Sequence, residues 1–199
     1  QRTSGYNVCA MASAGCMASC LNTAGRGQMN SVQQGRINKT KWYFLERDSF
    51  LNQLREEIKR HIKRCKLNSF KPAIRLNGTS DIDWNIHGLY EEFKQVKFYD
   101  YSKIYKRALK FVKKEYPKNY HLTYSLNEDN KAQAKYILKR GGNISAVFRT
   151  KKLPKRFLNY KVFNGDNSDL RFNDPKNVIV GLYAKGRALK DNTGFVQDV

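Results

Sequence analysis

The sequence predicts an α/β fold, a partial or elaborated (β/α) TIM-like barrel preceded by an N-terminal cysteine loop. Three observations predict it. Short β-rich runs alternate with helical segments over residues 72–190, the spacing of βαβ units and a parallel sheet. Cys9, Cys16 and Cys20 crowd into twelve residues rich in Ala, Ser and Gly. Polar residues gather where the strands end, the end at which parallel α/β proteins build their sites. A doubly wound open sheet is the alternative. The chain reads as a single domain over 1–199, with a loop at 1–29, a helical part at 30–66 and β/α repeats at 72–190.

The small residues of 1–29 suit a tight loop and not a core element. A helix is expected over Ser31–Glu46, ending in Trp42, Tyr43, Phe44 and Leu45. A second starts near Asp48 or Ser49, either of which could cap it. Its apolar face is Phe50, Leu51, Leu54, Ile58, Ile62 and Cys65, close to helical spacing. Strands are expected at 72–77, 96–100, 121–126, 144–149, 160–163 and 178–183. Helices at 85–94, 102–115 and 128–140 lie between them; the second stops before Pro117, and the third ends at Gly141-Gly142.

The strand ends supply the candidate site. Asp81, Asp100, Lys103 and Glu128 are the acid, base or anion-anchoring candidates. Asn77, Ser80, Asn127, Arg149 and Lys185 are candidates for holding a bound cofactor. Helix capping and turn chemistry use the same residue types and compete for each of them.

The formal net charge is +21, from 38 Lys+Arg against 17 Asp+Glu. Such a balance suggests an anionic partner. The chain is also rich in Lys (24) and Asn (18), whose codons are A/T-rich, so a biased genome produces the same composition. The stretch from Tyr101 to Lys118 interleaves lysines with Tyr105, Phe111 and Tyr116, a pattern that serves either weak, sequence-indifferent nucleic-acid binding or an amphipathic helix. No apolar run approaches the roughly 20 residues of a membrane helix, so no membrane partner is expected. No signal peptide is visible. The chain opens on Gln1 and not on Met, so it is expected to begin inside a longer protein. A reducing cytoplasm is the default, where clustered cysteines more often bind metal than pair.

The cysteine spacing is Cys9-x6-Cys16-x3-Cys20, with no Asp or Glu before Glu46. Thiolates are the usual ligands of iron–sulphur clusters, and small residues let a loop's amides approach the cluster sulphurs. A [4Fe–4S] cluster on Cys9, Cys16 and Cys20 is therefore the first reading. Structural zinc prefers four ligands in two short pairs. Here the fourth would have to be Cys65, His61, His87 or His121. Buried or disulfide-bonded cysteines are the third reading.

Three close cysteines followed by a β/α chain resemble the radical S-adenosylmethionine architecture. That resemblance implies an open iron that binds S-adenosylmethionine. The superfamily spacing is x3 then x2, and no glycine-rich strand end resembling its methionine-binding motif stands out here. A closer resemblance is to a family of bacteriophage-encoded proteins of uncertain function, related in shape to radical enzymes. It is carried by SGYNVCAMASAGCMASCLNTAGRG, MNSVQQGRINKT, RLNGTSDI, FYDYSKI, NYHLTYSLNE, VFRTKKLP, NGDNSDLRFNDP and VGLYAKGRA. It implies a cluster-bearing, barrel-like phage protein made in the cytoplasm of an infected bacterium. The leading functional expectation is a radical-type or redox enzyme acting on a small molecule. The alternatives are a nucleic-acid-binding accessory protein with a structural cluster, and a glycan- or nucleotide-processing barrel using a carboxylate pair.

Overall fold

The computed structural model describes residues 3–198, so the start of the 1–29 loop lies outside the described residues. The cysteine loop contains a short helix α1 (Ala14–Ala18) and two single 3-10 turns. Two long helices follow, α2 (Asn30–Leu45) and α3 (Arg47–Leu67). The α3 helix begins ahead of Asp48 and Ser49, with Glu46 at its cap and no side-chain cap hydrogen bond. Its Leu51, Ile58 and Cys65 are buried, as their spacing predicts. Tyr43 of α2, Phe50 of α3 and Trp84 form an edge-on and stacked aromatic group that joins the helical pair to the core.

The sheet strands are β1 (Ala73–Ile74), β2 (Lys97–Ser102), β3 (Tyr120–Ser125), β4 (Ile144–Phe148), β5 (Arg156–Phe157), β6 (Tyr160–Asn164), β7 (Ile179–Tyr183) and β8 (Val196–Gln197). Their order is β1-β2-β3-β4-β7-β6-β5, with β8 paired to β4. All pairings are parallel except the β5–β6 hairpin. The steps from β1 to β4 run in one direction, each next to the last, as in one half of a barrel. The helices α4 (Leu89–Glu92), α5 (Tyr105–Val112) and α6 (Lys131–Lys139) lie on the crossovers. Gly141, at φ +82°, ends α6 where a C-cap was expected.

The barrel does not close. After β4 the chain turns into the β5–β6 hairpin through Leu158 and Asn159, both at positive φ, and β7 then enters between β4 and β6. This leaves β1 and β5 as edges among the described residues. Charged Arg156 and Lys161 face each other along the exposed hairpin, a pattern that discourages edge-to-edge pairing.

One irregularity shapes the site. The β3 strand pairs with β4 only at Tyr124↔Ile144 and Ser125↔Ser145. Beyond that point β4 takes β8 instead, at Val147↔Val196 and Phe148↔Gln197. The C-terminal segment thus wedges β3 from β4 at their carboxyl ends, where the cysteine loop sits.

Candidate functional site at the carboxyl end of the sheet

The cysteine helix α1 is fixed at its N-terminus by side chains from two sources. Ser13 caps it by accepting the Cys16 N–H. Glu128, just past β3, accepts the Gly15 N–H at 2.7 Å and the Ser13 hydroxyl at 2.8 Å. The carboxylate therefore meets the positive end of the helix. From behind, Asp191 accepts the Ser19 hydroxyl and the Val196 N–H. Gly15 leaves no room for a side chain: a Cβ there would lie 2.1 Å from Thr193 Oγ1 and 2.7 Å from Phe195 Cβ. Cys16, Ala184, Ala188, Phe195 and Val196 bury one another as a small second core.

Cys9 is placed from the other side. Asn7 Oδ1 accepts the Cys9 N–H at 2.8 Å, and the Asp81 N–H donates to Val8 O at 2.7 Å. The result is a cavity of about 500 Å³ walled by Cys9, Cys16 and Cys20 and bounded by the ends of β1, β2, β3, β4 and β7. That volume is typical of small-molecule sites, which span about 300–1,000 Å³. Burial pushes the Cys9 thiol up to about 11 and raises that of Cys16, against the pull of the Lys103 ammonium. Burial alone would lower Lys103, but Cys16, Cys9 and Asp81 around it raise it overall.

The predicted residues divide. Asn77, Ser80, Lys103 and Lys185 line the cavity. Asp81 and Asp100 do not; they lie behind it, around Arg107, which donates to Asp81 at 2.6 Å and to Asp100 at 3.5 Å. Glu128 does not line it either, because both its oxygens are engaged with α1. Asn127 is turned into a local turn, accepting the Asp129 N–H. Arg149 reaches away to Asp198 and to the carbonyls of Leu189 and Asp191, which fastens the C-terminal segment. None of the three histidines lines the cavity: His87 meets the Tyr43 hydroxyl, and His61 lies 3.5 Å from the Cys65 sulphur on α3.

Arg75, Tyr101, Asp166, Asp169 and Tyr183 complete the rim. Arg75 lies over the Tyr101 ring and pairs with Asp169 at 3.6 Å, and Lys185 pairs with Asp166 at 2.6 Å. Tyr183 escaped the sequence reading because it sits within β7, and Arg75 because it falls inside the run 72–77 read as a strand, although β1 ends at Ile74. The signal for Arg75 was its alternation with apolar neighbours in PAIRLN.

Among the described residues, no three Cys, His, Asp or Glu side chains converge tightly enough to hold one metal ion. No helix is long and apolar enough to cross a membrane.

Fold and cavity define a mixed α/β protein with an open, mostly parallel sheet and a thiol-walled chamber at its carboxyl end. Over residues 1–199 the sequence matches the family model described as Gene product 88, and the chain belongs to that family. No curated protein and no solved structure matches it.

Proposed function

We propose that this is a phage protein, working in the cytoplasm of an infected bacterium, that holds a [4Fe–4S] cluster on Cys9, Cys16 and Cys20 and acts as a radical-type or redox enzyme on a small molecule. The observation that carries the proposal is that three thiols separated by a loop and a helix wall one cavity at the carboxyl ends of parallel strands. Structural zinc prefers four ligands, and neither Cys65 nor a histidine joins the three cysteines in lining the cavity. The donor set therefore fits the cluster, with one iron left for a small ligand such as S-adenosylmethionine.

When bound, the cluster supplies one-electron chemistry. The protein's own part is to hold and screen it. Lys103, which lines the cavity beside Cys9 and Cys16, offsets thiolate charge. Lys185, Ser80 and Asn77 face the space in which a small molecule would lie. A carboxylate-pair hydrolase fits less well, since Asp166 and Asp169 are each paired with a cation.

Anaerobic reconstitution with iron and sulphide tests the proposal. About four irons per chain with visible charge-transfer absorption are expected, lost on replacing Cys9, Cys16 or Cys20 with Ala. Stoichiometric zinc without iron, from protein supplied with both, defeats it.

A further inference from the structure

A second concavity, of about 490 Å³, lies at the opposite end of the sheet, beside the amino ends of β2 and β3. Lys94, Lys97, Lys114 and Lys118 line it with a single carboxylate, Glu91, which pairs with Lys94 at 3.7 Å. All four lysines are exposed. The segment that follows α3 borders the groove at Lys97. The Lys97 N–H donates to Pro72 O, and Lys97 pairs with Ala73, so the segment Phe70–Lys71–Pro72 runs alongside it. Lys63, Arg64 and Lys66 are exposed on the last turns of α3, which lead into that segment. Neither they nor Lys71 form an ion pair among the described residues. No acidic residue occurs between Glu57 and Asp81.

Two backbone details add to this. The α3 helix ends in a Schellman turn: Phe70 N–H donates to Cys65 O and Ser69 N–H to Lys66 O, with Ser69 at φ +57°. The residue in Phe70's position normally packs back on its helix. Here the ring stands 70% exposed, and the neighbouring Leu67 is 77% exposed. The α5 helix ends in the same turn, and its left-handed position is held by Lys114 at φ +62°, where glycine is the favoured residue. A lysine thus sits at the groove at a cost in backbone strain.

We infer that this face binds a single strand of nucleic acid, the lysine groove following the phosphates and Phe70 stacking on a base. Closely placed cations contribute sequence-indifferent, salt-sensitive attraction. An exposed aromatic beside them favours unpaired bases, since every base offers a π-face. The surface overlaps the stretch the sequence suggested, which supplies Lys114, Tyr116 and Lys118, but Tyr105 and Phe111 pack against the core and Tyr116 is buried, so those rings are withdrawn as stacking platforms. The inference is independent of any cluster, because the two concavities lie at opposite ends of the strands.

Fluorescence anisotropy with a labelled oligothymidylate of about 20 nucleotides, and with a duplex of equal length, over about 50–200 mM salt tests it. Neutralising Lys94, Lys97, Lys114 and Lys118 together should weaken single-strand binding at least tenfold at the low-salt end. The slope of log K on log salt should become shallower by about 3, from ~0.7 per lost contact. Phe70→Ala should weaken the single strand several-fold and leave the slope unchanged. A charge-matched control with Lys106, Lys131, Lys135 and Lys139 neutralised should retain most of the affinity. Equal losses in both quadruple variants, tighter binding of the duplex, or no binding at about 50 mM salt would overturn the inference.

Discussion

The Asp81 N–H donates to the carbonyl oxygen of Val8 at 2.7 Å, and this one bond ties the residue before Cys9 to the network beneath the cavity. The Asp81 side chain serves the same assembly. One oxygen takes the Arg107 guanidinium at 2.6 Å and the other takes the Lys103 N–H at 2.7 Å. Asp81 thus sets Cys9 and Lys103 relative to each other.

Replacing Asp81 with Ala should therefore cost more than a surface charge would. It leaves Arg107, 3% exposed, short of a partner, and breaking a buried pair from one side costs about 3–5 kcal/mol. Chemical denaturation should show a loss of that order. Iron retained after reconstitution should fall as well, because Lys103 loses its anchor. Wild-type stability in this variant would mean that Asp100 alone satisfies the arginine.

Gly15 gives a sharper test of how α1 is seated. An added methyl meets Thr193 Oγ1, Phe195 Cβ and Glu128 Oε1, all within 2.8 Å. Gly15→Ala should destabilise by about 1–3 kcal/mol, the usual cost of overpacking. Adding Thr193→Ala should return part of it. A melting temperature unchanged in the single variant would show that the C-terminal segment does not press on the helix.

Cys65 separates a core cysteine from a ligand. It is 7% exposed on the packed face of α3 and lies away from the cavity. Cys65→Ala should leave the iron content of reconstituted protein near that of the unaltered chain. Loss as complete as in Cys16→Ala would make Cys65 a true ligand.

His121 predicts a dependence on acid. Burial, then Arg171 and Lys97, lower its pKa to about 4, and its Nε2 has no hydrogen-bond partner among the described residues. The unfolded chain titrates near 6.5, so the folded state refuses a proton that the unfolded state accepts. Its contribution is present in full above about 6.5 and is lost as pH falls toward 4. If His121→Gln is less stable at neutral pH, its deficit in melting temperature should shrink on acidification. A deficit that grows would reverse the sign of the shift.

Much of this architecture is written locally. The α3 helix was legible because its apolar residues recur at helical spacing, and β2, β3, β4 and β7 because they are compact apolar runs between turn signals. Two short strands were not: β5 and β8 are two residues each, too short to carry periodicity. The open sheet was beyond reach because closure depends on which strand follows β4, a long-range pairing with no local mark. Arg107 was missed for a subtler reason. Ile104, Arg107, Ala108 and Phe111 fall at core spacing on α5, and a charge in that register reads as part of a solvated basic face until the acids that neutralise it are located. The cysteines were placed in one wall by their spacing. The Asp81, Asp100 and Glu128 candidates were placed near it, but as supports, since a carboxylate at a strand end serves a cap or a buried pair as readily as a substrate.

The wedge of β8 between β3 and β4 gives the site a birth order. Thr193 and Phe195, which back the cysteine helix, and Asp191, which grips Ser19, leave the ribosome about 170 residues after Cys20. At ~5–20 residues per second, that is roughly 10–35 s of synthesis. Throughout that interval three thiols stand on a nascent loop whose rear wall does not yet exist, open to oxidants and to any metal that passes.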